Sequence, residues 1–177
     1  AIVTCDPCLT ERTLLHLLDL CEGRTPVYVD PVSTAYARVL APHIGRFHTA
    51  KPNILELSIL SGREIADEAS LEAAGASLLD KGLERLVSLG KDGCLYMDRS
   101  GTVLRRKLRP VEQMVNATGA GDAFMAAVIY STLSGFDPEK TLHYALAAGI
   151  AAISHERTIH PGMCVSLIEK IWKEYQL

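Results

Sequence analysis

An α/β fold, with a mostly parallel sheet covered by helices on both faces, is what this 177-residue sequence predicts. Short apolar strand patterns alternate with longer helical ones, and glycines or capping residues stand where the helical patterns stop. Two further strand patterns flank Ser100-Gly101, which adds a hairpin, and three helical patterns then close the chain. The expected plan is a three-layer α/β/α arrangement, with residues 1–177 forming the C-terminal portion of one domain.

Each element has its own signal. Residues 2–5 read as a short buried strand. Residues 10–21 carry leucines at 14, 15, 17, 18 and 20, a broad apolar helical face, and Gly23 stops it. Residues 26–30 form a strand that ends at Asp30-Pro31, 34–40 a short helix, and 47–50 another strand. Asn53 caps a helix that runs to Ser61 and halts at Gly62. Residues 68–81 are a helix closed by Gly82. Residues 85–89 are a strand entering Gly90-Lys91-Asp92-Gly93, and 94–98 with 103–107 form the hairpin. The closing helices cover 119–134, 138–155 and 162–175, the second opened by Asp137-Pro138 as cap and first-turn proline.

Composition narrows the function classes. Lys plus Arg is 18 against 21 for Asp plus Glu, a net charge of -3, which gives no reason to expect nucleic acid or an anionic membrane as partner. Any phosphate recognition must therefore be local. The longest apolar run, 145–153, is too short to span a bilayer. No signal peptide is evident, and the opening on a strand pattern reads as a piece whose upstream part is missing. The five scattered cysteines do not form a secreted disulfide framework, so a reducing, cytoplasmic setting is expected.

The richest segment is Asn116-Ala117-Thr118-Gly119-Ala120-Gly121-Asp122. Two glycines and an alanine open a long apolar helix, so a ligand can approach the backbone closely. The first amides of a helix lack internal partners and sit at the positive end of its dipole, which suits a phosphate. Asp122 beside such a turn would repel a phosphate. The conflict resolves if the carboxylate accepts a proton from an attacking hydroxyl while the amides of Ala120 and Gly121 hold charge on the transferred phosphoryl group. The plainer reading is an acidic residue in a first helical turn, and from chemistry alone both stand.

This stretch resembles the C-terminal signature of the ribokinase-like (PfkB) carbohydrate kinase family, D-T-x-G-A-G-D. The G-A-G-D core matches at Gly119 to Asp122. Asn116 replaces the first aspartate and Ala117 the threonine. The resemblance implies a ribokinase-like fold, Asp122 as catalytic base, and Gly119, Ala120 and Gly121 as the anion hole. It also implies ATP and Mg²⁺. A monovalent cation at the Asn116 loop is a further implication, weakened there by the missing charge.

Other elements extend the resemblance. Asn53-Ile54-Leu55-Glu56 has the spacing of a capping box. It also resembles the family's N-x-x-E element, which places Asn53 by the nucleotide and gives Glu56 a hydrated magnesium to hold. Both roles are compatible, since magnesium keeps several waters. Ser88-Leu89-Gly90-Lys91-Asp92-Gly93 resembles the T-L-G-x-x-G turn that lies against ATP, giving Ser88, Gly90 and Gly93 to the nucleotide. Lys91 reads as a solvated lysine with a phosphate in reach. The small-residue helix from Tyr144 resembles the one lining the adenine pocket, which offers Leu146 and Gly149.

Segments 27–33 and 154–161, with Asn116, look most like the pseudouridine kinase branch. The implied function is ATP-dependent phosphorylation of a sugar or nucleoside hydroxyl, with pseudouridine 5′-phosphorylation foremost. Another nucleoside, a free sugar, or a non-catalytic nucleotide-binding fragment are the alternatives. The family's N-terminal half, with its glycine pair and lid strands, is absent from these residues. The implied partner is a small-molecule sugar or nucleoside, without nucleic acid or membrane, and a homodimer is compatible with it.

Rival signals are weaker. Cys5-Asp6-Pro7-Cys8 at a helix start could support disulfide exchange if a thiol pKa is lowered, but one such pair cannot complete a four-ligand zinc site. The six histidines make no H-E-x-x-H element. Arg105-Arg106-Lys107 reads as a solvated strand, and Trp172 and Tyr175 as anchors of the last helix.

Overall fold

A computed structural model describes residues 1–90, 93–107, 115 and 118–175, apart from the Leu89 side chain. Six strands form one sheet in the order β1-β2-β3-β4-β5-β6: Val3–Cys5, Val27–Val29, Thr49–Ala50, Arg85–Gly90, Gly93–Asp98 and Val103–Lys107. Strands β1 to β4 pair in parallel, with Val3 opposite Val27, Tyr28 opposite Thr49 and Thr49 opposite Arg85. The β5–β6 hairpin closes through the Asp98 amide donating to the Thr102 carbonyl at 3.1 Å, and Gly101 takes φ +92° in its turn. The helices are α1 (Glu11–Cys21), α2 (Thr34–Leu40), α3 (Ile54–Ser61), α4 (Glu68–Asp80), α5 (Ala120–Leu133), α6 (Pro138–Ile153) and α7 (Val165–Tyr175). Among the described residues no helix is long and apolar enough to cross a membrane.

The chain divides into two compact units, residues 1–90 with 95–103, and residues 91–94 with 104–177. The first holds a core of Leu14 and Leu18 from α1, Val27 and Val29 from β2, Leu57 and Leu60 from α3, Leu78 from α4 and Leu86 from β4. Removing each such side chain from water stabilises the fold by roughly 1.5–3 kcal/mol. Between α2 and β3 the chain makes a 3-10 helix, Ala41–Arg46, a segment to which the sequence assigns no element. Packing explains it: a Cβ on Gly45 would lie 1.9 Å from the Lys81 carbonyl oxygen, so the segment is pressed against the end of α4.

The second unit is built on α6, which packs against both α5 and α7. Ala145, Ala147, Ala148, Ala151 and Ala152 are all buried, and these small side chains let α5 approach closely. Helix α7 lays Ile168 and Ile171 inward, and its Glu169 accepts a hydrogen bond from the Tyr144 hydroxyl at 2.8 Å. Trp172 packs on His143 and Tyr144, as its anchoring role requires. Helix α7 starts at Val165, later than expected, because Gly162 to Cys164 are used in a turn that folds back on His160. Arg106 is not a solvated residue. Its Nε donates to His143 at 3.2 Å and its guanidinium pairs with Glu139, so it ties β6 to α6.

Candidate active site

In the second unit, the start of α5 differs from those of α1, α2, α3, α4 and α6. Thr10, Ser33, Asn53, Asp67 and Asp137 each accept a backbone amide at the head of their helices. Gly119, the N-cap of α5, offers no side chain and stands at φ +87°, in the left-handed region glycine tolerates. The Ala123 amide is bonded back to the Gly119 carbonyl at 2.9 Å. The amides of Ala120, Gly121 and Asp122 precede it and have no intrahelical acceptor, so they present donors at the positive end of the helix.

Asp122 is exposed and forms no ion pair among the described residues. Gly149 of α6 faces the same turn. Among the described residues, a Cβ built on it would meet only the Ala120 carbonyl oxygen, at 3.9 Å. Leu146, one helical turn earlier, is buried in the core instead. Gly93 has a structural reason to be glycine: at φ +132°, a Cβ would lie 1.9 Å from the Arg106 carbonyl oxygen of β6. Asn116, Ala117, Lys91 and Asp92 lie outside the described residues.

In the first unit, polar residues gather at the carboxyl ends of adjacent parallel strands, where α/β sheets bind their ligands. Asp30 follows β2, Lys51 follows β3, and Ser88 and Gly90 end β4. Ser88 is buried. Gly90 approaches the head of α3, a Cβ there lying 3.3 Å from Ile54 Cδ1. The capping box on α3 is complete: Asn53 Oδ1 accepts the Glu56 amide and Glu56 Oε2 accepts the Asn53 amide, both at 2.9 Å. Glu56 is only 3% exposed. Burial raises its carboxyl above the usual range, the Asn53 amide opposes that, Asp30 adds to it and Lys51 opposes it.

Sequence reasoning missed Asp30 and Lys51. Lys51 Nζ lies 2.8 Å from Asp30 Oδ2, and both side chains are largely buried, at 8% and 18% exposure. The signal was available as charged residues directly after two strands. Asp30 Oδ1 also accepts the Val32 amide at 3.2 Å, and Val32 is held at φ +63°, a conformation that costs a β-branched residue energy. Both Asp30 oxygens are thus engaged, whereas Glu56 has one oxygen in the capping box and a second that would suit an ion keeping most of its waters, as magnesium does.

The cysteine pair has no reactive thiolate at its first member. Burial, Asp6 and Cys21 push the Cys5 thiol up to about 11.

In fold the chain is ribokinase-like. Its likeness to Arabidopsis thaliana ribokinase complexed with ribose and ATP has a TM-score of 0.81 at 22% identity, covering 97% of this chain and 55% of that one. Residues 4–163 match the pfkB family carbohydrate kinase, and the chain belongs to that family. It is 32% identical over 167 residues to the pseudouridine kinase of Escherichia coli (strain K12), covering 93% of this chain and 52% of the relative. It is 33% identical over 105 residues to the 1-phosphofructokinase of the same strain, covering 59% of this chain and 33% of that relative. The chain thus spans about half the length of the pseudouridine kinase it matches.

Proposed function

We propose that this chain carries the nucleotide-binding and catalytic part of an ATP-dependent kinase that phosphorylates a hydroxyl of a sugar or nucleoside. The observation that carries the reading is the turn at Gly119 to Asp122, whose leading amides have no capping side chain and whose carboxylate is exposed and unpaired among the described residues. Asp122 takes the proton of the attacking hydroxyl, and the amides of Ala120 and Gly121 receive the charge on the moving phosphoryl group. Positioning and charge stabilisation are most of what phosphoryl transfer asks of a protein.

Glu56 is the residue that would hold a hydrated magnesium ion. The ion neutralises phosphate charge when bound. Ser88 and Gly90, at the end of β4, serve the nucleotide, as does Gly93 at the start of β5, and Gly149 serves its base, whereas Leu146 is buried away from it. Pseudouridine is the preferred acceptor, because the likeness to a pseudouridine kinase runs over 93% of the chain whereas that to 1-phosphofructokinase runs over 59%.

The test is Asp122→Asn in the complete protein. Magnesium-ATP binding is expected to persist, and transfer to pseudouridine to fall by about 10³-fold or more, the scale for losing an essential proton acceptor together with its charge. Full transfer by that variant would remove the mechanism, and a panel of nucleosides and sugars decides the acceptor. The chain's span of about half of the pseudouridine kinase favours a second reading, a nucleotide-binding piece that transfers nothing unaided. Titration of this chain with magnesium-ATP, followed by a phosphorylation assay, separates the two.

A further inference from the structure

The left-handed start of α5 is contacted from outside its own helix. Gly119 is covered by Thr158, in the connection between α6 and α7. A Cβ on Gly119 would lie 2.4 Å from the Thr158 carbonyl oxygen and 3.0 Å from its Cγ2. The nearest contact is to backbone, so the path of the loop matters more than the side chain at position 158. Without such a contact a glycine moves readily between positive and negative φ, and the amides that follow would swing with it.

Two imidazoles set the path of that loop. His155 Nδ1 accepts the Arg157 amide at 3.0 Å, and His160 Nδ1 accepts the Gly162 amide at 2.9 Å. Each ring therefore acts as an acceptor at Nδ1 and carries its proton on Nε2. The rings also meet edge to face, with centroids 4.9 Å apart, and the Met163 amide donates to the His160 carbonyl at 3.0 Å. The two ends of the 155–160 span are thus fastened to each other, and its middle delivers the Thr158 carbonyl to Gly119. Loop residues Glu156, Arg157, Thr158 and Ile159 are all exposed, so no burial of their own side chains fixes this course.

We infer that His155 and His160 form a clasp whose task is positioning: through Thr158 it holds Gly119 left-handed and so keeps the amides of Ala120, Gly121 and Asp122 aligned as an anion site. The clasp rests on the reading of that turn as the phosphoryl site. It touches no reacting atom, and it acts through the backbone geometry of its neighbour.

The test compares His160→Ala and His160→Asn with the parent chain. An asparagine oxygen can still accept the Gly162 amide, in the manner of an Asx-turn, whereas alanine cannot. Backbone amide resonances are read without ligand. His160→Ala is expected to move those of Ala120, Gly121 and Asp122 and to leave Gly135, at the far end of α5, in place. Magnesium-ATP affinity should fall about tenfold, the size of one misaligned hydrogen bond to a charged group. His160→Asn should recover most of both. Unmoved resonances in His160→Ala overturn the clasp, as does an Asn variant no better than the Ala variant. If His160→Ala does not fold, a folded Asn variant with parental resonances at the turn supports it, and displaced ones overturn it. If the parent chain binds no nucleotide, the resonances alone judge the clasp, and Asp122→Asn in the complete protein judges the kinase reading.

Discussion

Replacing Gly119 with alanine separates the two reasons a glycine can be required, conformation and space. Helix α5 offers a matched control at its other end. Gly135 stands at φ +69° with nothing within 4 Å of an added Cβ, whereas Gly119 stands at φ +87° with the Thr158 carbonyl oxygen 2.4 Å from one. Both substitutions put alanine in the left-handed region, at a cost of roughly 1–2 kcal/mol. Only Gly119→Ala also forces a backbone carbonyl aside, which adds roughly 1–3 kcal/mol as overpacking does. The expected difference between the variants is therefore about 2 kcal/mol. Trp172 is the chain's single tryptophan and lies on α7, in the same unit as both glycines, so its fluorescence in urea reports the relevant unfolding. With m about 1–3 kcal/mol/M, the two midpoints should differ by about 1 M. Midpoints that agree to within about 0.3 M would refute the claim that Thr158 packs on Gly119 and fixes the turn.

Other consequences follow from the remaining charged groups. Lys51→Met leaves the buried Asp30 carboxylate without its cation and should cost about 3–5 kcal/mol in denaturant unfolding, with Asp30→Asn in the same chain restoring part of it. No recovery in the double variant would show that the pair is not the source of the loss. His48 is pushed below its ordinary range by burial first and by Arg85 second, with Glu84 opposing. Because its folded pKa is depressed, the stability it contributes is present above about pH 6.5 and is lost as pH falls through the folded value. The urea midpoint should drop on acidification below that point, and His48→Gln should flatten that part of the profile. An unchanged acid limb in the variant assigns the effect elsewhere.

Much of this molecule is legible in local chemistry. Helix α3 is the clearest case, with Asn53 capping, Glu56 returning the hydrogen bond and Gly62 ending the helix at φ +72°, all within a few residues of one another. The hairpin around Gly101 and the cap and proline at Asp137-Pro138 are equally local. The family signature at Gly119 to Asp122 is local too, and it leads to the kinase fold that the comparisons show. The 3-10 run Ala41–Arg46 was not legible, because its cause is the Lys81 carbonyl, far along the chain. Nor was the ion pair of Lys51 with Asp30, or the anchoring of Arg106 to α6.

Glycine shows where the boundary falls. Gly62, Gly93 and Gly119 all have positive φ, yet one ends a helix in open space, one lies under the Arg106 carbonyl of β6, and one lies under Thr158 at the head of α5. Residue order was enough to place the caps, the turns and the motif, because those hydrogen bonds form between near neighbours. Which backbone presses on which glycine, and which charge is buried beside which, depended on segments that meet only when the chain packs. Those contacts join residues distant in sequence, and no local pattern encodes them.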